Sequence, residues 1–241
     1  MLEVNQISVR RGGVNTLQDV SLSLEQGKTL AVVGESGAGK STLIAAILGL
    51  VKPWSGSITW SGRSVRRCGP ALVMQEPRSA FNPRLLLRRS VMEPLQARGL
   101  ALPNGRLDRL CRGLDLSPEM LDRRPHEVSI GQAQRMGILR ALLGSPPLVL
   151  FDEPLSALDA VTQKHTARLI ADLQTEQGFA ALIVTHDLGY AVAYADEIMV
   201  LRSGRVEEAA TPETFARMPS SEYCRTLRDA AIALGALEVS A

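Results

Sequence analysis

The chain is short of several residue types, and each shortage excludes something. Three cysteines, Cys68, Cys111 and Cys224, are scattered over 241 residues. An odd, widely spaced set without a Cys-x-x-Cys pair supports neither a disulfide framework nor a zinc site, and a reducing compartment is expected. Aromatic residues make up 4% of the chain, and none lies between Met1 and Pro53. Lysine is confined to Lys28, Lys40, Lys52 and Lys164, so a lysine inside a motif stands out against an arginine-rich background. The net charge is only +2, from 27 basic and 25 acidic residues. That balance lacks the clustered basic excess of a nucleic-acid binder, so no nucleic-acid partner is expected. The apolar runs, such as Leu30–Val33, Leu148–Phe151 and Ala180–Val184, fall far short of the ~20 residues a membrane span needs. Met1–Arg10 shows no charged-then-apolar leader pattern, so no export signal is expected. Any membrane role is therefore expected to come through partners.

What is present is a globular composition, 45% hydrophobic and 22% charged, long enough to bury a core without staples. Leu2–Val9 and Val20–Glu25 alternate apolar and polar positions and predict half-buried strands. Leu30–Val33, Leu148–Phe151 and Ala181–Val184 are continuous apolar runs, as in strands covered on both faces of a parallel sheet. Helical spacing over Lys40–Leu50 and between the later runs completes an α/β alternation. Ile198–Leu201 followed by Ser203-Gly204 predicts a further strand and a hairpin turn. From about Arg84 to Leu143 the pattern is helical, arginine-rich and broken by Pro94, Pro103 and Pro118, which predicts an inserted helical subdomain. From Thr211 onward two short helices are expected, the second around Glu222–Leu237.

Three motifs carry chemistry. Gly34-Glu35-Ser36-Gly37-Ala38-Gly39-Lys40-Ser41 has the phosphate-loop spacing, with an apolar run before it and helical spacing after it. Glycines let the backbone turn its N–H groups toward phosphate oxygens, and the positive end of the following helix adds to the attraction. Lys40 would reach the β- and γ-phosphates, and the Ser41 hydroxyl would bind Mg²⁺. The run Leu148–Phe151 delivers Asp152 and Glu153 at its end. Tandem side chains on a strand point to opposite sides, so the two acids can take different tasks. Asp152 suits magnesium, and Glu153 is then placed to orient and deprotonate a water. Ala181–Val184 leads through Thr185 to His186, whose imidazole can donate to a γ-phosphate oxygen. His126 and His165 read as structural.

Taken in order, the phosphate loop, Gln75, Val128-Ser129-Ile130-Gly131-Gln132, the acid pair, Ser156-Ala157-Leu158-Asp159 and His186 resemble the nucleotide-binding subunit of ABC transporters over nearly the whole chain. The resemblance implies an α/β fold: a phosphate-loop NTPase (RecA-like) core with a mixed sheet, an N-terminal antiparallel β subdomain and an inserted α-helical subdomain. The boundaries implied are 1–83 and 144–210 for the core, 84–143 for the helical subdomain and 211–241 for C-terminal helices. ATP and Mg²⁺ are the implied substrate and cofactor, bound head-to-tail between two subunits. The phosphate-loop set extends to Thr42. Ser129, Gly131 and Gln132, followed by Gln134-Arg135, cap the nucleotide on the opposite subunit, and Asp159 lies at the seam. Gln75 is the lid glutamine near magnesium and water, which gives Ser41, Gln75 and Asp152 as metal ligands and Glu153, His186 and Gln75 as the catalytic set.

Two positions depart from the family pattern. Ile130 occupies the first glycine of the signature. Either its β-branched bulk weakens the site completed on the partner, or the side chain points away and changes nothing. Arg11 stands where the family places an adenine-stacking aromatic. A guanidinium can stack on a π system, or Arg11 is a solvated surface charge.

Gln75-Glu76-Pro77 with Phe81-Asn82-Pro83-Arg84, Glu93-Pro94-Leu95, Leu121–Glu127 and Glu222–Leu227 around Tyr223 are similar to the oligopeptide, dipeptide and nickel importer subfamily. This implies a peripheral ATPase on the cytoplasmic face of the inner membrane. Its partners would be permease subunits docking around Gln75–Arg89, a periplasmic binding protein acting indirectly, and a second, preferably different, ATPase chain. The absence of a cysteine-rich tail tilts the solute toward nickel or a metal chelate. The alternative is an accessory ATPase of a soluble complex such as carbon–phosphorus lyase. A repair or translation ATPase fits less well, since no coiled-coil insertion is present.

Overall fold

A computed structural model describes residues 1–237. The chain opens with two long strands, β1 (Leu2–Arg11) and β2 (Val14–Leu24), joined in an antiparallel hairpin. β3 (Thr29–Val33) follows, then α1 (Lys40–Ile47), then β4 (Ser55–Trp60), which pairs with the other edge of β1 to complete a three-stranded antiparallel sheet. After β5 (Ala71–Val73) the chain turns helical, with α2 (Leu87–Ala97), α3 (Arg106–Gly113) and α4 (Ile130–Leu143). It returns to alternation with β6 (Leu148–Asp152), α5 (Ala160–Gln177), β7 (Ala180–Val184), α6 (Leu188–Tyr194), β8 (Glu197–Arg202) and β9 (Arg205–Ala210). Two helices, α7 (Pro212–Arg217) and α8 (Glu222–Ala233), end the described chain.

The second sheet runs β5-β6-β7-β3-β8-β9, parallel throughout except for the β8–β9 hairpin. The expected mixed sheet and antiparallel N-terminal unit are both present. Every residue of β3 and β7 is buried, which explains the continuous apolar runs: neither face has water to meet. Alternate residues serve different layers. Leu30 and Val32 pack with Leu43, Ile44 and Ile47 of α1 and with the antiparallel sheet. Ala31 and Val33 pack on the opposite face with Leu188, Phe215 and Cys224. Val149 and Phe151 of β6 join the helical layer formed by α2, α3, α4 and α5. Among the described residues no helix is long and apolar enough to cross a membrane.

The structure corrects some local expectations. Pro94 does not break the helical region but sits inside α2. A proline there forfeits one backbone hydrogen bond, and burial of Leu87, Val91 and Leu95 on one stripe outweighs the loss. The last helix stops at Ala233, short of Leu237, because the chain folds back: the N–H groups of Ala236 and Leu237 both donate to the Ala231 carbonyl. That turn buries Leu237. The sequence pattern carries no clear signal for β4 or β5. β4 is polar and gains its regularity from pairing with β1, and β5 has only three residues.

Phe215 is fully buried and ties α7 to the face of β3 and β8. Phe215→Ala is expected to lower unfolding stability by about 3–5 kcal/mol, read by urea denaturation of the purified chain.

Candidate active site

The parallel strands end together, and the chemistry collects at their carboxyl ends. β3 runs into the loop from Gly34 to Gly39, and α1 begins at Lys40. Two glycines are required by close approach. A Cβ at Gly34 (φ 150) would collide with the Leu201 carbonyl oxygen of β8. One at Gly39 (φ 108) would lie 2.7 Å from Leu17 Cδ2 and 2.8 Å from the Thr16 oxygen. The Ala38 carbonyl accepts from the Gly204 N–H at 2.9 Å, so the β8–β9 turn braces the loop. Nothing in Ser203-Gly204 as a sequence points to that role.

Lys40 is only 7% exposed. Its ammonium donates to the carbonyls of Gly34 (2.7 Å) and Glu35 (2.9 Å). Burial lowers its pKa, opposed by the nearby Glu153 and Asp152 carboxylates. Ser41 Oγ donates to Asp152 Oδ1 at 3.2 Å, which joins the start of α1 to the end of β6. Burial raises the Asp152 pKa against the Ser41 hydrogen bond, with the Glu153 charge adding to the rise. Glu153 follows with φ 45, a left-handed conformation uncommon for a residue with a side chain. Its N–H is tied to the Val184 carbonyl at 2.9 Å. The Glu153 Oε2 oxygen accepts from Gln75 Nε2 at 3.3 Å and lies 3.3 Å from His186 Nδ1. Three elements far apart in sequence, β5, β6 and β7, thus bring Gln75, Glu153 and His186 onto one carboxylate oxygen.

The donor set suits a triphosphate with magnesium. A loop with glycine at its closest approaches, a buried ammonium and a hydroxyl–carboxylate pair at a helix start are the groups that chemistry needs. Ser41 and Asp152 are already in contact and could share a cation, with phosphate and water completing its shell.

Ser129, Gly131 and Gln132 form a second group at the start of α4. Ser129 Oγ accepts from the Gln132 N–H at 3.1 Å, and Gln132 Oε1 accepts from the Ser129 N–H at 2.9 Å, a closed capping box. A Cβ on Gly131 would lie 2.8 Å from Thr162 Cγ2, so the start of α4 rests on the start of α5. Asp159 caps α5 by accepting from Val161 and Thr162 N–H groups at 3.2 and 3.1 Å. The Thr162 side chain, and after it those N–H groups, hold its carboxyl below the ordinary range. Arg11 lies exposed at the β1–β2 hairpin tip, opposite Val14. Among the described residues no hydrogen bond or ion pair holds its side chain. The arginine that does stack here is Arg10, 5.1 Å from the centroid of the Trp54 ring.

Fold and loop together define the class, a phosphate-loop nucleotide hydrolase. The sequence profile of the ABC transporter family matches residues 17–156. The oligopeptide transport ATP-binding protein OppF of Escherichia coli K12 is 34% identical over 231 residues, covering 90% of this chain and 69% of that protein. A putative peptide import ATP-binding protein of Brucella ovis is 35% identical over 234 residues, covering 92% and 74%. Among solved structures, an ATP-binding cassette in a dimeric post-hydrolysis state with ADP and Pi superposes with a TM-score of 0.78 at 27% identity, covering 88% of this chain and 99% of that one. CbiO1 from Clostridium perfringens, part of an ABC transporter complex, gives 0.80 at 26%, covering 97% and 96%. The chain belongs to the ABC transporter family, as one of its ATP-hydrolysing subunits.

Asp152 ionises less readily in the folded chain than in an unfolded one. Its cost to stability is therefore absent in acid and complete once the pH exceeds its raised folded pKa. Asp152→Asn removes that cost at neutral pH. We expect the melting temperature of the nucleotide-free chain to rise by about 2 °C, while Mg²⁺-dependent nucleotide binding, followed by calorimetry, is lost.

Proposed function

We propose that this chain is the ATPase subunit of a peptide importer, docked on permease subunits at the cytoplasmic face of the inner membrane and paired with a second, different ATPase chain. The observation that carries this reading is the convergence of Gln75 and His186 on Glu153 beside the Ser41–Asp152 pair. Peptide import is preferred over nickel, and over an accessory role in a soluble complex, because the relatives described above are named for peptide transport.

In this reading the amides of Gly34–Thr42 and the Lys40 ammonium hold the ATP phosphates, and Ser41, Asp152 and Gln75 hold magnesium. Magnesium bound there would supply charge neutralisation to the triphosphate. Glu153 orients the attacking water and accepts its proton. Gln75 keeps the Glu153 carboxylate aimed, and His186 serves as donor to the γ-phosphate. The transfer itself needs little covalent help, so positioning and charge account for the acceleration. Arg11 sits at the hairpin edge where the adenine would lie. Ser129, Gly131 and Gln132 complete the nucleotide site of the partner subunit, with Asp159 at the seam. We assign residues 1–83 and 144–210 to the hydrolytic core, 84–143 to the subdomain that conveys motion to the permease, and 211–241 to a C-terminal helical segment, of which 238–241 lie outside the described residues.

Glu153→Gln keeps the size and the Gln75 contact but removes the base. Steady-state hydrolysis by the assembled complex should fall by about 10²–10⁴-fold while ATP remains bound; near-normal turnover would show that another group takes the proton.

Ile130 is 45% exposed, so the core does not absorb its bulk. At the start of α4 that bulk meets the partner's nucleotide and favours a division of labour in which one of two sites is slow. Ile130→Gly should raise ATPase activity of the assembled complex by several-fold, about 1 kcal/mol of barrier, and unchanged activity would leave the two sites equivalent in this respect.

A further inference from the structure

The near-even charge balance of the whole chain hides an uneven distribution. No acidic residue occurs between Glu35 and Glu76, although the chain has 25 of them. The cations of that stretch are Lys40, buried in the phosphate loop, and Lys52, Arg63, Arg66 and Arg67, all of them exposed. Among the described residues none of these four takes part in an ion pair, and neither does Arg10.

Buried contacts gather most of them on one face. Leu48, Val51, Val65 and Cys68 pack into the same core cluster as β1 and β2. That packing draws together the end of α1, the segment 49–54 and the helical turn Val65–Cys68. The Arg66 guanidinium donates to the Gly49 carbonyl, and a Cβ at Gly49 (φ 69) would lie 2.6 Å from Arg66 Nε. The Leu50 N–H donates to the Ala45 carbonyl at 2.8 Å and the Trp54 N–H to the Ser8 carbonyl at 2.9 Å, so the segment is fixed at both ends. Left outside are Leu50, 72% exposed, Lys52, and Trp54, 60% exposed beneath the Arg10 guanidinium. The acids of the adjoining strands are Glu3, which accepts from Thr59, and Asp19, whose N–H donates to Ser8. Helix α1, eight residues or about 12 Å long, separates this face from the phosphate loop.

Unpaired cations without acids among them call for an anionic partner. The apolar pair narrows its class. An exposed indole and leucine set among lysine and arginine suit the boundary between lipid headgroups and acyl chains, where cations meet phosphate and the indole lies at headgroup depth. A single-stranded nucleic acid would need successive aromatic platforms. Here Trp54 stands alone, since Trp60 is half-buried against the core. We propose that the face formed by Leu50, Lys52, Trp54, Arg66 and Arg67 binds anionic phospholipid headgroups directly, with Trp54 as its interfacial anchor. This rests on the membrane location proposed above and adds a contact that does not pass through the permease.

The purified full chain should bind vesicles containing about one-third phosphatidylglycerol at low salt and release them as ionic strength passes about 0.3 M. Vesicles of phosphatidylcholine alone should not bind. Tryptophan emission should shift to the blue on binding, and Trp54→Phe should abolish the shift. Lys52→Glu combined with Arg67→Glu should weaken binding about thirtyfold or more. The melting temperature of that variant, and ATPase activity of its assembled complex in detergent, should match wild type. Equal binding to neutral vesicles, undiminished binding by the charge-reversed variant, an unshifted emission or a tighter complex with single-stranded DNA would overturn the inference. So would a parallel loss of ATPase activity in detergent, which would assign the face to the permease instead. If the wild-type chain bound the vesicles but its complex hydrolysed no ATP, the ATPase reading would fail and the lipid contact would stand.

Discussion

The close approach of the phosphate loop to its neighbours is the constraint on which the site depends. Gly34 abuts the Leu201 carbonyl and Gly39 abuts Thr16 and Leu17, so the loop is wedged between the end of β8 and the inner part of β2. The Gly204 N–H closes the wedge on Ala38. With its outer side occupied in this way, the loop has one direction left in which to present N–H groups, toward the strand ends. The same wedge sets where α1 begins, which brings Ser41 to Asp152 and buries Lys40 against the carbonyls of Gly34 and Glu35. A single added methyl group at either glycine would undo all of these placements together.

Charges held in such a place oppose folding. Lys40 and Asp152 are both shifted toward their neutral forms by burial, and Glu153 is kept in a left-handed backbone conformation. Strain of this kind persists only where the surroundings over-determine it. Here they do. Strands β3 and β7 are buried along their whole length, β6 at all but its last residue, and Glu153 is tied by its N–H to β7. Part of the core's stabilisation offsets a constellation that an ATP–magnesium complex would relieve by supplying the missing counter-charges.

How much of this is legible in the sequence depends on how local each cause is. The loop, the acid pair and the buried strands are legible because spacing and apolar runs reflect nearest neighbours along the chain. The convergence of Gln75 and His186 on Glu153 is legible only by resemblance, since it depends on which strands become neighbours. β4 escapes notice because Ser55–Trp60 carries little alternation of its own and takes its form from β1. Pro94 misleads because local propensity yields to the buried stripe Leu87, Val91 and Leu95. The anchoring of the first turn of α8 on β9, where Glu208 accepts from the Ser220 and Ser221 N–H groups, leaves no local trace at all, because only the finished sheet brings the two together.

The two groups of site residues are also mechanically linked. Ser156 Oγ donates to the Glu153 carbonyl at 3.1 Å, and Gln163 Nε2 donates to the Leu155 carbonyl at 2.9 Å. The segment between β6 and α5 is thus held at both ends, by the carboxylate-bearing residue and by the helix that Asp159 caps. Gly131 then rests on Thr162, one turn into that helix. This short, hydrogen-bonded segment connects Glu153 to the start of α5, and the contact of Gly131 with Thr162 connects that helix to the start of α4, where Ser129 and Ile130 sit. Coupling of this kind travels through packed, contiguous contacts. The physical reason that position 131 is glycine is internal: it lets two helix starts touch, so that the group around Ser129, proposed above to complete a partner's site, rests directly on the helix joined to Glu153.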